Sequence, residues 1–193
     1  MLAADTAVLR AKLLGIMADD FQRGGSTKNA HVGHQFKEAA ISALEVAGIS
    51  VTGDYPVEIG VSGLTKAHSF DLGSDQPPII VECKSNRWTS GSNVPSVKLA
   101  VWNESMYYFA CAPSIFRKIL FVLSDIRATT GQTIAEYYIR TYRHLIPPSV
   151  EIWEYDEATK SVEIVHGTKT NDQNKPKAGP SELPAFDCDI VDV

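Results

Sequence analysis

The strongest constraint on the fold is Ile79-Ile80-Val81, an uninterrupted apolar run with β-branched residues that leads straight into Glu82-Cys83-Lys84. Runs of this kind form strands covered on both faces of a sheet. Side chains alternate along a strand, so Glu82 and Lys84 share one face while Ile79, Val81 and Cys83 share the other. An acid and a base therefore stand side by side at the end of a buried strand, where charge is costly unless it is used. Upstream, His68-Ser69-Phe70-Asp71 brings a second carboxylate to a neighbouring short strand. Two acids against one base leave an excess of negative charge that a metal cation would relieve.

The 193 residues suffice for one domain with a sizeable core. The reading is a single domain over residues 1–166 followed by a flexible acidic tail over 167–193, rich in Thr, Asn, Lys, Pro and Gly at its start. Three cysteines, Cys83, Cys111 and Cys188, form no Cys-x-x-Cys pair, which argues against a disulfide framework or a Cys-rich zinc site. No apolar stretch reaches the roughly 18 residues of a membrane span, and no export signal is evident, so a soluble, cytoplasmic protein is expected. The net charge of −5 argues against a polyanionic partner, but its distribution softens that objection. From Glu151 onward ten acidic residues face four lysines, which leaves residues 1–150 at +1. A near-neutral body can still focus positive potential in a cleft if Lys28, Lys66, Lys84, Arg87 and Lys98 gather there.

Hydrophobic spacing predicts a helix over residues 3–22, a polar loop over 24–29, and a second helix over 32–47 carrying Glu38 and stopped by Gly48. Strands are expected at 49–52, 55–61 and 64–72, then a turn over 73–78 and the strand 79–84. A Ser/Asn/Gly-rich loop over 85–95 carries Arg87 and Trp88 and is placed to cover the charged strand end. A helix over 97–112 should bury Val101, Met106, Tyr108, Phe109 and Ala112, with a buried strand at 118–123 after it. A further helix over 130–145 and a hairpin of 150–155 with 161–165 complete the pattern.

This order of elements, with Glu38 on a helix, Asp71 on a strand and Glu82-Cys83-Lys84 on a buried strand, resembles the PD-(D/E)XK nuclease superfamily over about residues 32–124. The resemblance implies a mixed α/β fold: a restriction endonuclease-like α-β-β-β-α-β core, its central mixed sheet flanked by helices, with an N-terminal helix and a C-terminal hairpin added. It implies that Asp71, Glu82 and the Cys83 backbone carbonyl hold Mg²⁺, with Mn²⁺ able to substitute. Lys84 would orient or deprotonate the attacking water or stabilise the pentacovalent phosphate, and Glu38 would hold a second cation or orient a water. Such residue types suit phosphodiester hydrolysis, which needs a divalent cation to neutralise phosphate charge and acidify water. Phe70 stands where the motif has its proline. Asn103 and Tyr107 have the spacing of the Gln-x-x-x-Tyr of exonuclease-like branches, without the Gln.

The expected activity is a metal-dependent DNA endonuclease of restriction or repair type. DNA is the expected partner, contacted by Lys28, Arg87, Trp88, Lys98 and Asn103, and double-strand cleavage would call for a homodimer or a transient pair. The alternatives are a non-catalytic nucleic-acid or protein-binding module on the same fold, and a nuclease for branched DNA or RNA. No nucleotide cofactor is expected, because Gly24-Gly25-Ser26-Thr27-Lys28 lacks the order of a phosphate-binding loop. Gly60-Val61-Ser62-Gly63-Leu64 misses a nucleophile elbow by one position. His31 and His34 lack a third ligand for a metal of their own.

Overall fold

The apolar run at residues 79–81 lies deep inside one mixed sheet, in strand β4 (Pro78–Lys84). The computed structural model describes residues 8–9, 25–89 and 94–167. Its elements in chain order are β1 (Val8–Leu9), α1 (Gly25–Val46), β2 (Thr52–Val61), β3 (Leu64–Asp75), β4, α2 (Ser96–Cys111), β5 (Arg117–Leu123), α3 (Ile134–Tyr142), a short 3-10 turn (Arg143–Leu145), β6 (Val150–Asp156) and β7 (Ser161–His166). The seven strands run in the order β1-β7-β6-β5-β4-β3-β2, so the protein is mixed α/β.

Parallel pairing is confined to the middle of the sheet, β4 with β5 and β5 with β6. Each parallel neighbour needs a crossover, and α2 and α3 supply the two. Antiparallel hairpins flank this centre: β2/β3 and β3/β4 on one side, β6/β7 on the other. The β2/β3 hairpin turns on Ser62 and Gly63, both with positive φ, the geometry that matches the twist of paired strands.

Strand alternation sorts the core into two halves. Ile79, Val81, Ile119, Phe121, Trp153 and Tyr155 pack against Phe36, Ala40, Ala43 and Leu44 of α1. Ile80, Leu120, Val122 and Ile152 face the other way, onto Leu99, Trp102, Met106 and Phe109 of α2 and Ile134 and Tyr138 of α3. The buried Lys118 donates to the carbonyls of Phe109 (2.6 Å) and Ala112 (3.0 Å), placing a cation on the open C-terminal turn of α2. Burial lowers its pKa.

Several sequence expectations change. The helix expected over 3–22 falls outside the described residues except at Val8–Leu9, which form a short strand along the edge of β7. The loop expected over 24–29 is already helix from Gly25, because glycine costs a helix only about 1 kcal/mol and the following turns carry the run. The strands expected at 49–52 and 55–61 are one strand from Thr52, and the turn expected over 73–78 shrinks because β3 continues to Asp75. On α2 the buried face is rotated: Trp102 is fully buried, while Val101 is 43% exposed. The helix expected over 130–145 starts only at Ile134, where Thr133 and Glu136 form a capping box. The hairpin of β6 and β7 forms as expected. The tail from residue 168 lies outside the described residues, and among the described residues no helix is long and apolar enough to cross a membrane.

Candidate metal and phosphodiester site

The site begins where β3 parts from β4. Their pairing runs from Asp75–Pro78 to Leu72–Val81 and stops, leaving the last residues of β4 without β3 as a backbone partner. Asp71 is the first residue of β3 beyond that point. Its Oδ2 accepts the Cys83 amide at 2.8 Å, so a side chain replaces the missing rung. The N–H and C=O of one strand residue point to the same neighbour, which turns the Cys83 carbonyl toward this fork as well. On the other flank of β3 the rung at Asp54 and Asp71 is also skipped, with Asp54 at a φ of 51°.

Glu82 and Lys84 meet as strand alternation requires, with Lys84 Nζ 2.6 Å from Glu82 Oε2. Glu82 is nearly buried, its side chain 8% exposed against 15% for Lys84. The second Glu82 oxygen lies 3.2 Å from His68 Nε2. The His68 ring packs edge-on to Phe70 at 4.6 Å and leans on Tyr108 of α2 at 4.0 Å. His68, Glu82 and Lys84 thus lie on the α2 side of the sheet.

From the α1 side, Lys37 reaches the same fork. Its Nζ is 2.8 Å from Asp71 Oδ1 and 3.4 Å from Asp54 Oδ1. Burial by itself would lower the Lys37 pKa, but the hydrogen bond and charge of Asp71, helped by Asp54, outweigh it and raise the value. Lys37 corrects the sequence count of charge: Asp71 and Glu82 meet two ammonium groups here, not one, and Lys37 is shared with a third carboxylate, the exposed Asp54. The Cys83 thiol is pushed well up by burial, with the Asp71 charge adding to it, and so stays protonated and inert at neutral pH.

Glu38 is not brought to this group. A helix turns by about 100° per residue, so Glu38 lies about 200° round α1 from the buried Phe36 and faces outward. Its side chain is 62% exposed and stands 3.9 Å from His34, one turn back. The DNA contacts expected from sequence are mostly engaged within the protein. Arg87 pairs with Asp125 at 3.3 Å and with Glu157. The Trp88 amide donates to Asp125 Oδ2 at 2.6 Å and its indole to the Asp125 carbonyl at 2.9 Å. Its ring meets Tyr137 edge-on at 5.6 Å. Lys98 Nζ lies 3.4 Å from the Arg87 carbonyl, and Asn103 accepts the Tyr138 hydroxyl at 2.9 Å. Lys28 is in α1, its side chain outside the described residues.

Among the described residues no three His, Cys, Asp or Glu side chains gather into a metal-holding group. These residues therefore do not build a self-sufficient cage. Mg²⁺ makes a lesser demand: one or two carboxylates, with water and phosphate oxygens filling its other positions. Asp71, Glu82 and the Cys83 carbonyl are hard oxygen donors of that kind on neighbouring strands, and the four carboxylate oxygens are engaged by Lys37, the Cys83 amide, His68 and Lys84. Lys37 and His68 are the site residues that sequence reasoning missed. The signal for Lys37 was its place on the flank of the Phe36–Ala40–Leu44 stripe; for His68 it was strand alternation with Phe70. Set against known proteins, the chain finds no significant match among protein-family models, curated proteins or solved structures.

Proposed function

We propose that this chain is a Mg²⁺-dependent DNA endonuclease with a restriction endonuclease-like core, its site formed by Asp71, Glu82, Lys84 and the Cys83 carbonyl. The observation that carries the proposal is the fork, where Asp71 takes the Cys83 amide beside the 2.6 Å Glu82–Lys84 pair. When bound, Mg²⁺ or Mn²⁺ supplies positive charge against the phosphate oxygens and acidifies water. The Cys83 amide fixes the Asp71 carboxylate for this task, and His68 fixes that of Glu82. Lys84 Nζ, little exposed and at the mouth of the fork, orients the attacking water or steadies the developing charge on the phosphate as a hydrogen-bond donor. With Lys37 and Lys84 already offsetting much of the charge of Asp71 and Glu82, cation and substrate phosphate bind together. A duplex cut on both strands requires two such sites, hence a homodimer or transient pair.

The test is cleavage of supercoiled plasmid with Mg²⁺, stopped by EDTA. Lys84→Ala and Glu82→Ala should each lose about 10²-fold or more in rate. Cleavage by either variant at the parent's rate refutes the assignment. The same charge balance favours one second reading, a non-catalytic binding module on this fold. Calorimetric Mg²⁺ titration separates the two, since a binding module loses nothing when Asp71 is changed to Asn. Comparing linear, single-stranded, junction and RNA substrates identifies the phosphodiester.

A further inference from the structure

Next to the fork, a groove of about 520 Å³ opens between the β2/β3 hairpin and the second half of α2. That is within the roughly 300–1,000 Å³ of small-ligand sites. Three features determine what it suits. Its aromatic wall is α2: Tyr107 is 58% exposed, and Tyr108 leans on the His68 ring. Most of its remaining lining is apolar, with Ile59 on the hairpin side and the exposed side chains of Val61 and Leu64 at the turn. The lysine in its lining is Lys66, exposed and placed by alternation on the same face of β3 as His68. His68 joins the groove to the site, since it lines the one and touches Glu82 of the other at 3.2 Å.

We infer that this groove receives the base of an unpaired nucleotide next to the cleaved phosphodiester, so that the substrate is single-stranded or locally unpaired DNA. The inference rests on the nuclease reading and names its substrate class. A flat, uncharged ring stacks on tyrosine faces, Lys66 meets the neighbouring backbone phosphate, and the path from ring to phosphate runs past His68 to Glu82. A base held in a regular duplex stays in its stack and cannot enter a side groove without being extruded.

The test is fluorescence anisotropy in EDTA with a labelled single strand of about 15 nucleotides and the matching duplex. The parent protein should bind the single strand more tightly. Tyr107→Ala, at an exposed position that leaves the fold intact, should weaken single-strand binding by about 5- to 100-fold and leave duplex binding alone. Tyr107→Trp should restore it. Unchanged single-strand affinity in Tyr107→Ala, or a parent preference for duplex, overturns the inference. So does a Tyr107→Ala protein that changes only its sedimentation from dimer to monomer, which would make the groove a seat for a second copy. Lys84→Ala keeps the two proposals apart: it should abolish cleavage yet keep Tyr107-dependent binding. Tyr107-dependent binding in a parent that never cleaves DNA refutes the nuclease and keeps the groove.

Discussion

Glu154 on β6 offers the sharpest energetic test of this structure. It lies in one cross-sheet row with Val122 and Lys84, on the α2/α3 face, and is only 8% exposed. Its Oε1 has no hydrogen-bond partner among the described residues. Burial raises its pKa from 4.5 to about 7; a hydrogen bond from Thr133 opposes the shift, and the charges of Glu136, Glu163 and Asp156 add to it. Below the unfolded value of 4.5 both states are protonated and the group contributes nothing to the pH dependence of folding. As pH rises, the unfolded chain ionises first, so stability falls until about pH 7 and then levels off. The full shift corresponds to about 3 kcal/mol. Glu154→Gln removes that penalty, so urea unfolding near pH 8 should show a variant more stable by about 1–3 kcal/mol, part of the gain being lost to imperfect amide hydrogen bonding. Around pH 4.5 the gap should close. A gap independent of pH, or a variant less stable at high pH than its parent, refutes the reasoning, since it would mean that the Glu154 carboxylate is well satisfied where it lies.

Two further expectations concern the site and the loop beside it. Replacing Lys37 with Met frees Asp71 Oδ1 from its 2.8 Å partner, so calorimetry without DNA should show Mg²⁺ or Mn²⁺ binding severalfold more tightly than in the parent; unchanged affinity means Asp71 does not hold the cation. Asp125→Ala removes the acceptor of the Trp88 amide and one partner of Arg87, so hydrogen exchange at the Trp88 amide should accelerate at least tenfold while the β4 and β5 amides stay protected; an unchanged Trp88 rate means that Asp125 does not hold the loop.

Where periodicity had one solution, the elements were readable. The run through Val81, the strand ending at Leu123 and the β6/β7 hairpin alternate or stay apolar over lengths that only strands fit. On α2 apolar residues occur almost all round the helix, so spacing alone could not choose between Val101 and Trp102 for the core, and α1 starts in a Gly-Ser-Thr segment with no apolar period. The site divides the same way. Glu82 and Lys84 could be read as neighbours because the alternation of β4 fixes them, whereas Asp71 stands where the alternation of β3 breaks, Phe70 and Leu72 packing on opposite faces, so its strand was legible and its contacts were not. Glu38 was chosen for its chemistry without regard to its face, and the helix turns it outward. Lys37, one residue earlier, flanks the buried Phe36–Ala40–Leu44 stripe, but that it meets Asp71 follows from how α1 packs on the sheet.

The charges at the fork exceed what folding needs there. The Cys83 amide wants only an acceptor, and an uncharged asparagine at position 71 would provide one. Glu82 lies on a strand whose inner neighbours are all apolar, and nothing in the sheet requires a carboxylate 8% exposed at that place. Replacing a buried ion pair with apolar residues of similar size is often neutral or stabilising by about 1–4 kcal/mol. Other charges are shielded too: Arg117 (40% exposed) meets Glu151 (14%), and Arg87 (30%) meets Asp125 (20%), but in neither place do two strands part to leave backbone groups open beside the pair. Asp71 and Glu82 with Lys37 and Lys84, and Asp54 on the outer side of Lys37, converge where β3 and β4 part, and functional sites are among the places where proteins break the local rules of a stable sheet. On the nuclease proposal, a divalent cation arriving with a phosphodiester would bring positive and negative charge to the fork at once, and so draw on both the carboxylates and the lysines.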